Sequence, residues 1–319
     1  MKSFTIKEND RGQRLDKFIK KVTINFPDSL LNKYLRLKRI KVNGRRAENR
    51  QMLELNDLVE LYINDEFFPF DKDEELKFLN APNKIQIVYE DENILLCDKP
   101  SGLVVHEDNE NENDNLINRI LHYLYDKGEY SPQNEASFTP ALCNRIDRNT
   151  GGIVIAVKNA VSLREMNYLI REALIKKYYM CILCGVPKNE HAILKSFMLK
   201  SDDTNMVTVY DTPHPNAKTA ITEYWVREVR GDYALVEVLL HTGRTHQIRA
   251  QMAYLGYPLL GDGKYGHNRE DKKLGFKSQA LYSYKLIIDC GEAVPHLAYL
   301  DKKEFTVPAL WLKEEFEKL

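Results

Sequence analysis

The carboxylate with the most suggestive surroundings in this chain is Asp147, set in Asn144-Arg145-Ile146-Asp147-Arg148-Asn149-Thr150-Gly151-Gly152 directly before Ile153-Val154-Ile155-Ala156-Val157. The polar residues and the Gly-Gly pair spell a turn, and the apolar run that follows spells a short interior strand. That order puts Asp147 at the rim of a core, where a carboxylate is partly desolvated and a nearby guanidinium favours its charged form. A carboxylate held ionised in such a place needs a reason. A turn aspartate capping its own backbone is the simpler reading of this motif in isolation.

Two further clusters shift the balance. In His241-Thr242-Gly243-Arg244-Thr245-His246-Gln247-Ile248-Arg249, Thr245 can start a helix that Gly256 ends. On it Thr245, Ile248, Arg249, Met252 and Leu255 share the inward face. Arg249 is thereby carried toward the core, and a buried guanidinium needs a partner such as Asp147. A purely architectural bridge satisfies the same pattern. Lys177-Tyr178-Tyr179 opens a strand, where Tyr179 is either packing or a ring that stacks on an extruded base. His241 and His246 flank a strand-to-helix turn with no carboxylate or thiol at a ligand spacing, so contacts to phosphate or backbone suit them and no metal site is expected. Cys181 and Cys184 form a C-x-x-C, yet residues three apart on a strand face opposite ways and no second pair is available.

The elements that must position these groups are legible in outline. Ile85–Tyr89 and Ile94–Cys97 read as strands, the second entering the turn Asp98-Lys99-Pro100-Ser101-Gly102. One helix carries Leu116, Ile117, Ile120, Leu121 and Leu124, and another spans 160–176. Strand patterns follow at Tyr179–Leu183, Ala220–Val226 and Tyr233–Leu240. Alternating strands outnumber helices, which predicts an α+β fold, a mixed or antiparallel sheet with helices packed against it, over residues 83–319. The loop from Glu107 to Asn115, made of Asn, Asp and Glu alone, is expected to be exposed and mobile.

A different unit precedes it. Apolar positions 15, 18, 19 and 22 match one helical face; Ser29 can cap a second helix whose inner face is Leu30, Leu31, Tyr34 and Leu35. Leu37–Arg46 then shows a strand with the tight turn Asn43-Gly44. The net charge of the whole chain is −1, but residues 1–62 hold fifteen Lys/Arg against eight Asp/Glu, a net of +7. Arg14, Lys33, Arg36, Lys38, Arg39, Lys41, Arg45 and Arg46 are candidates for tracking RNA phosphates, although a solvated face would look the same. Residues 63–82 reverse the sign and read as an acidic linker.

The 319 residues, 43% hydrophobic and 29% charged, suit a soluble two-domain protein. No apolar run reaches the roughly 18 residues of a membrane span, and the polar start lacks a secretory signal, so a cytoplasmic location is expected. Five scattered Cys argue against a disulfide framework.

Residues 11–62, with Arg14-Leu15-Asp16 opening the first helix and Val42-Asn43-Gly44 at the turn, resemble the S4-type (alpha-L) RNA-binding domain. The motifs of the larger domain resemble those of the RluA family of pseudouridine synthases, in order and spacing. The resemblance implies that Asp147 is the catalytic aspartate, Tyr179 the active-site tyrosine, Arg249 the partner of the aspartate and Arg145 the side chain that fills the RNA stack where the target uridine has left. Arg244 and His246 are implied RNA contacts, and the loops Asp98–Gly102 and Gly261–Gly266 look like family loops. One departure stands out: Asn144 occupies a position where the family commonly has His.

The implied reaction breaks the bond from sugar C1′ to N1 of uridine, rotates the base and rejoins it through C5. It needs no cofactor and no metal. Asp147 can be drawn attacking C1′ or removing a sugar proton, while Tyr179 would stack on the base and could help remove the C5 proton. Large-subunit (23S) ribosomal RNA is the substrate the appended RNA-binding domain implies, with the enzyme acting as a monomer. The alternatives are a non-catalytic RNA-binding or ribosome-assembly factor, and a synthase acting on tRNA. A metal-dependent nuclease is disfavoured, because such sites gather several carboxylates and the neighbours of Asp147 in its motif are basic or neutral.

Overall fold

The computed structural model describes residues 1–68, 74–107, 113–201, 203–266, 271, 274–308 and 310–319. Residues 69–73 of the expected linker and 108–112 of the expected mobile loop lie outside the described residues. The chain falls into two compact units, one of residues 1–84, 110–141 and 157–164, the other of residues 85–109, 142–156 and 165–319.

In the first unit a four-stranded antiparallel sheet, ordered β1-β4-β2-β3, is formed by β1 (Lys2–Thr5), β2 (Ile40–Val42), β3 (Arg45–Arg46) and β4 (Leu58–Leu61). Helices α1 (Leu15–Val22) and α2 (Asp28–Arg36) bury Leu15, Phe18, Ile19, Leu31, Tyr34 and Leu35, the spacing anticipated from the apolar positions. Pro27, not Ser29, stands at the N-cap of α2, and no side chain caps that end. Proline supplies the extended backbone that this position needs and gives up an N–H without an intrahelical partner, but it offers no acceptor to the first-turn N–H groups. Asn43 and Gly44 both have positive φ, 53° and 71°, which joins β2 to β3 in the tight hairpin that Asn-Gly favours. The described parts of segment 63–82 are not bare chain: Ile63 and Phe68 enter the core of this sheet and its helices. Short 3-10 helices occupy Asp65–Phe67 and Glu74–Asn80, and Phe78 packs edge-on against Tyr125 of α3 (Leu116–Asp126).

The second unit is built on a large sheet whose strands run β11-β10-β12-β13-β9-β14-β8-β6-β5. These are β5 (Gln86–Glu90), β6 (Ile94–Lys99), β8 (Gly151–Val157), β9 (Ile175–Cys184), β10 (His191–Lys200), β11 (Val207–Tyr210), β12 (Lys218–Arg230), β13 (Tyr233–Leu240) and β14 (Leu281–Ile288). A two-residue β7 (Ala141–Leu142) precedes β8, and β15 (Glu304–Thr306) pairs with β14. Pairing is antiparallel from β11 through β14, while β14 and β8 run parallel. This is the mixed, antiparallel-rich α+β architecture the strand patterns indicate. Helix α4 (Ala160–Arg171) stops earlier than the expected residue 176: Ala173 adopts φ 56° and the chain enters β9 at Ile175. The last helices are α5 (Gln247–Tyr254) and α6 (Leu310–Glu317).

Gly151-Gly152 is strand, not turn. Both residues lie in β8 and pair with Tyr282 and Ser283 of β14. A Cβ on Gly152, whose φ is +114°, would stand 2.1 Å from the Ser283 carbonyl oxygen, and one on Gly151 would stand 2.6 Å from the Tyr282 ring. Only glycine permits this backbone approach.

Candidate active site

The residues from Asp147 to Thr150 form a tight turn, closed by a bond from the Thr150 N–H to the Asp147 carbonyl (3.0 Å). The loop from Asp98 to Gly102 grips that turn from outside. The Arg148 carbonyl accepts from the Gly102 N–H (2.9 Å) and from Lys99 Nζ (2.9 Å), and Ser101 Oγ donates to the Asn149 carbonyl (2.8 Å). Lys99 is wholly buried and donates also to the carbonyls of Pro100 and Leu103, so all three ammonium protons are used. Burial pulls its pKa down to about 8, with the charges of Asp147 and Asp98 acting the other way. Lys99→Met should therefore lower unfolding free energy by roughly 2–4 kcal/mol, since the carbonyls of Pro100 and Leu103 lose their ammonium donor and that of Arg148 keeps only the Gly102 N–H. A denaturant titration checks this, and a decrease below about 0.5 kcal/mol would show that water replaces the ammonium at no cost.

Asn144 serves the same turn. Its Oδ1 accepts from the Ile155 N–H (2.8 Å), pinning the entry of the motif to β8. The side chain that departs from the family pattern is thus engaged with backbone. Arg145 beside it is exposed and makes no hydrogen bond or ion pair among the described residues, leaving its guanidinium available.

Helix α5 brings Arg249 to this turn. Arg249 Nη1 donates to Asp147 Oδ2 (2.7 Å), while Nε and Nη2 grip both oxygens of Asp262 (2.7 and 2.9 Å). Asp262 is fully buried and also accepts from the backbone N–H groups of Lys264 and Tyr265 (2.9 and 3.1 Å). Burial opposes the charge of Arg249, but hydrogen bonding to Asp262 and the two carboxylate charges more than offset it and raise the guanidinium's pKa. Burial likewise opposes ionisation of Asp262, and Arg249 with the two N–H groups outweighs it, holding the carboxyl below the usual range. Asp262 is the partner that pattern reading missed. Its only sequence signal is the Gly261–Gly266 loop, in which a lone Asp sits between glycines.

The helix carrying Arg249 begins later than expected. His246, at φ 52°, is its N-cap residue; Thr245 and Leu255 are exposed, whereas Gln247, Ile248, Arg249, Ala250, Gln251 and Met252 are all buried. The inward stripe widens because two glutamines, four apart, turn into the protein. Gln247 accepts from Thr242 Oγ1 and the Arg244 N–H and donates to Thr222 Oγ1, and Gln251 donates to Ser196 Oγ. These amides fasten the strand-to-helix loop to β12 and β10, with every polar atom satisfied.

His246 lies between Asp147 and Tyr265. Its Nε2 is 3.9 Å from Asp147 Oδ2, and its Nδ1 is 2.9 Å from the Tyr265 hydroxyl, which accepts from the Val207 N–H. Burial lowers the pKa of the imidazole, Asp147 working against that shift and Arg249 with it. His246, expected at the RNA surface, is therefore a neighbour of the carboxylate. Arg244 is exposed, its Nε spent on the Thr219 carbonyl (2.9 Å), and His241 Nε2 pairs with Glu223 (3.0 Å).

Tyr179 completes the centre from β9. It stands directly opposite Ser283 of β14. Burial pushes its phenol up to about 12, the charge of Asp147 adding to the shift and the Ser283 hydroxyl opposing it. The phenol stays neutral at neutral pH. Cys181 and Cys184 lie on opposite faces of β9, and burial raises both thiols, Cys184 to about 12. Among the described residues no group of three His, Cys, Asp or Glu side chains could hold a metal ion.

In the first unit Lys33, Arg36, Lys38, Arg39, Arg45 and Arg46 are exposed and Lys41 is half-buried; none forms an ion pair among the described residues. Arg39 lies over the Tyr34 ring and Lys41 over Tyr62. Arg14 differs, with both ends of its guanidinium held by Asp16 (3.0 and 2.6 Å).

Comparisons with known proteins give the family of the chain. Residues 93–254 match the family model of RNA pseudouridylate synthase. An uncharacterised RNA pseudouridine synthase of Mycoplasma pneumoniae is 31% identical, over 98% of this chain and 94% of the relative. The ribosomal large subunit pseudouridine synthase D of Borreliella burgdorferi is 30% identical over 91% of this chain and 86% of its own. Synthase C of Vibrio cholerae is 31% identical over 83% and 81%. In fold, the chain is similar to human RNA pseudouridylate synthase domain containing 4, with a TM-score of 0.56, 22% identity and coverage of 73% of this chain and 92% of that one. Fold and relatives together define an RNA-modifying isomerase. The chain belongs to the RNA pseudouridylate synthase family, in its RluA-type branch.

Proposed function

We propose that this isomerase acts on uridines of large-subunit ribosomal RNA through Asp147, with Arg249 as its counter-ion and Tyr179 as the ring on which the extruded base stacks. The observation that carries the reading is the 2.7 Å bond from Arg249 to Asp147, which joins two motifs 102 residues apart around a carboxylate that is only a quarter exposed. A carboxylate so held is oriented and kept from its own backbone, ready to attack C1′ or take a sugar proton. The neutral phenol of Tyr179 suits stacking better than removal of the C5 proton, since a group with a pKa near 12 is a weak base when protonated. A divalent-ion nuclease is a poor fit. Asp147 has a guanidinium and an imidazole as neighbours, and both oxygens of Asp262 are engaged by Arg249.

Substrate choice rests on two supports. Relatives named for large-subunit ribosomal RNA align over most of the chain, and the sheet-and-helix module within residues 1–62 presents unpaired cations in the manner of an S4-type RNA-binding domain. Arg145 is the candidate for the vacated place in the RNA stack. We place the enzyme in the cytoplasm as a monomer, where rRNA is made; no helix among the described residues is long and apolar enough to cross a membrane.

Mapping pseudouridines in total RNA from cells with and without the protein tests the assignment. Sites that disappear from large-subunit rRNA support it; sites that disappear only from tRNA replace it with the tRNA reading, and an unchanged map restores the assembly-factor reading. A companion prediction concerns the basic module. Changing Lys38, Arg39, Arg45 and Arg46 to Ala should weaken rRNA binding and flatten its salt dependence by about 0.7–0.9 in log–log slope for each phosphate no longer neutralised. An unchanged slope would remove the module from the interface.

A further inference from the structure

Lys177, near the start of the strand that carries Tyr179, has no role in the chemistry above. It lies on β9 two residues before Tyr179, so the two side chains share one face of the sheet. Its strand neighbour on β13 is Leu240, the residue at which the chain leaves the sheet for the loop His241–His246. A Cβ added at exposed Gly243 of that loop would meet one atom alone, Lys177 Nζ at 3.9 Å. The ammonium therefore reaches from the strand that carries Tyr179 to the loop that leads into Arg249.

What surrounds it there is unusual for a cation. The side chain is half-buried and makes no hydrogen bond or ion pair among the described residues. Burial lowers its pKa, with no carboxylate acting the other way. The other inward cations of this unit have acceptors: Lys99 has three carbonyls and Arg249 two carboxylates. A partly desolvated ammonium without a partner destabilises the free protein, and the deficit is made good only by an anion brought from outside. The anion that an RNA substrate carries to this place is a phosphodiester.

We propose that Lys177 binds a backbone phosphate flanking the uridine that is isomerised, and so fixes the sugar of that nucleotide beside Asp147. The proposal rests on the reading of Asp147 and Tyr179 as the reacting centre. Holding the backbone at this point gives the enzyme a means of keeping the ribose still while the base detaches and turns.

The test uses a transcript of the rRNA segment around the uridine mapped as above, with single methylphosphonate linkages placed 5′ and 3′ of that uridine. With wild-type protein, one of the two linkages should raise KM about tenfold, the effect of removing one charged interaction. In Lys177→Gln the same linkage should cost less than about twofold, and Lys177→Arg should restore the sensitivity. Equal costs in wild type and Lys177→Gln overturn the proposal, whereas a transcript that wild type leaves unmodified counts against the substrate assignment instead. A second readout needs no RNA. Removing an uncompensated ammonium should leave the melting temperature of free Lys177→Met unchanged or higher while RNA affinity falls. A drop of several degrees would mark Lys177 as a structural residue and also overturn the proposal.

Discussion

Asp147→Asn is expected to abolish uridine isomerisation, by at least about 10⁴-fold in turnover, while changing RNA affinity by less than about threefold. The amide keeps the shape of the carboxylate and can still accept from Arg249 Nη1, but it can neither attack C1′ nor take a proton. The fold should tolerate it well. Arg249 keeps its two bonds to Asp262, so no charge is left uncompensated, and Asp147 itself is a quarter exposed. Release of tritium from RNA labelled at uridine C5 measures the turnover, and a filter-binding titration measures the affinity. Turnover within tenfold of wild type would show that the carboxylate only anchors Arg249 to the turn. An assembly factor would show a further pattern: cells carrying Asp147→Asn would grow and assemble ribosomes normally while a deletion would not.

What the chain reveals before its fold is known divides along physical lines. The pairing of Arg249 with Asp147 is legible because a helix repeats every 3.6 residues and a guanidinium on an inward stripe demands an anion. The identity of that stripe is less so. Gln247 and Gln251 count as polar in any apolar pattern, yet both are buried, because β12 offers Thr222 to each of them and Ser196 lies across from Gln251. Helix α5 consequently has no polar face for periodicity to find. Gly151-Gly152 carries the signature of a turn, and nothing in the chain announces that β14 approaches so closely that no Cβ fits. Strand β10 escapes notice for the opposite reason: in His191–Lys200 only Ser196 and Met198 are buried, so its alternation is faint. In β14 a register shift between Ser283 and Lys285 breaks the period of two. Asp262 is the most consequential omission, since a loop aspartate between glycines looks like turn chemistry until the helix that it serves is in place.

That second carboxylate changes what removal of Arg249 should do. Arg249→Ala is expected to cut turnover by about 10²–10³-fold, the scale of removing one preorganised donor from a reacting group. It should also destabilise the protein by roughly 3–5 kcal/mol, because Asp262, with no exposed surface, would be left as a buried charge answered only by two backbone N–H groups. The two effects have to be separated, and the geometry supplies the means. Arg249→Met combined with Asp262→Asn removes both charges together, and the amide oxygen can still accept from the N–H groups of Lys264 and Tyr265. The paired variant should regain most of the drop in melting temperature seen in Arg249→Ala while turnover stays low and RNA binding stays near that of wild type. Recovery of turnover along with stability would mean that Arg249 acts only by folding the site, and that Asp147 needs no cation beside it. If stability returns and turnover does not, the bond from Nη1 to Asp147 is the part of the three-residue bridge that belongs to the reaction, and the grip on Asp262 is what aims it.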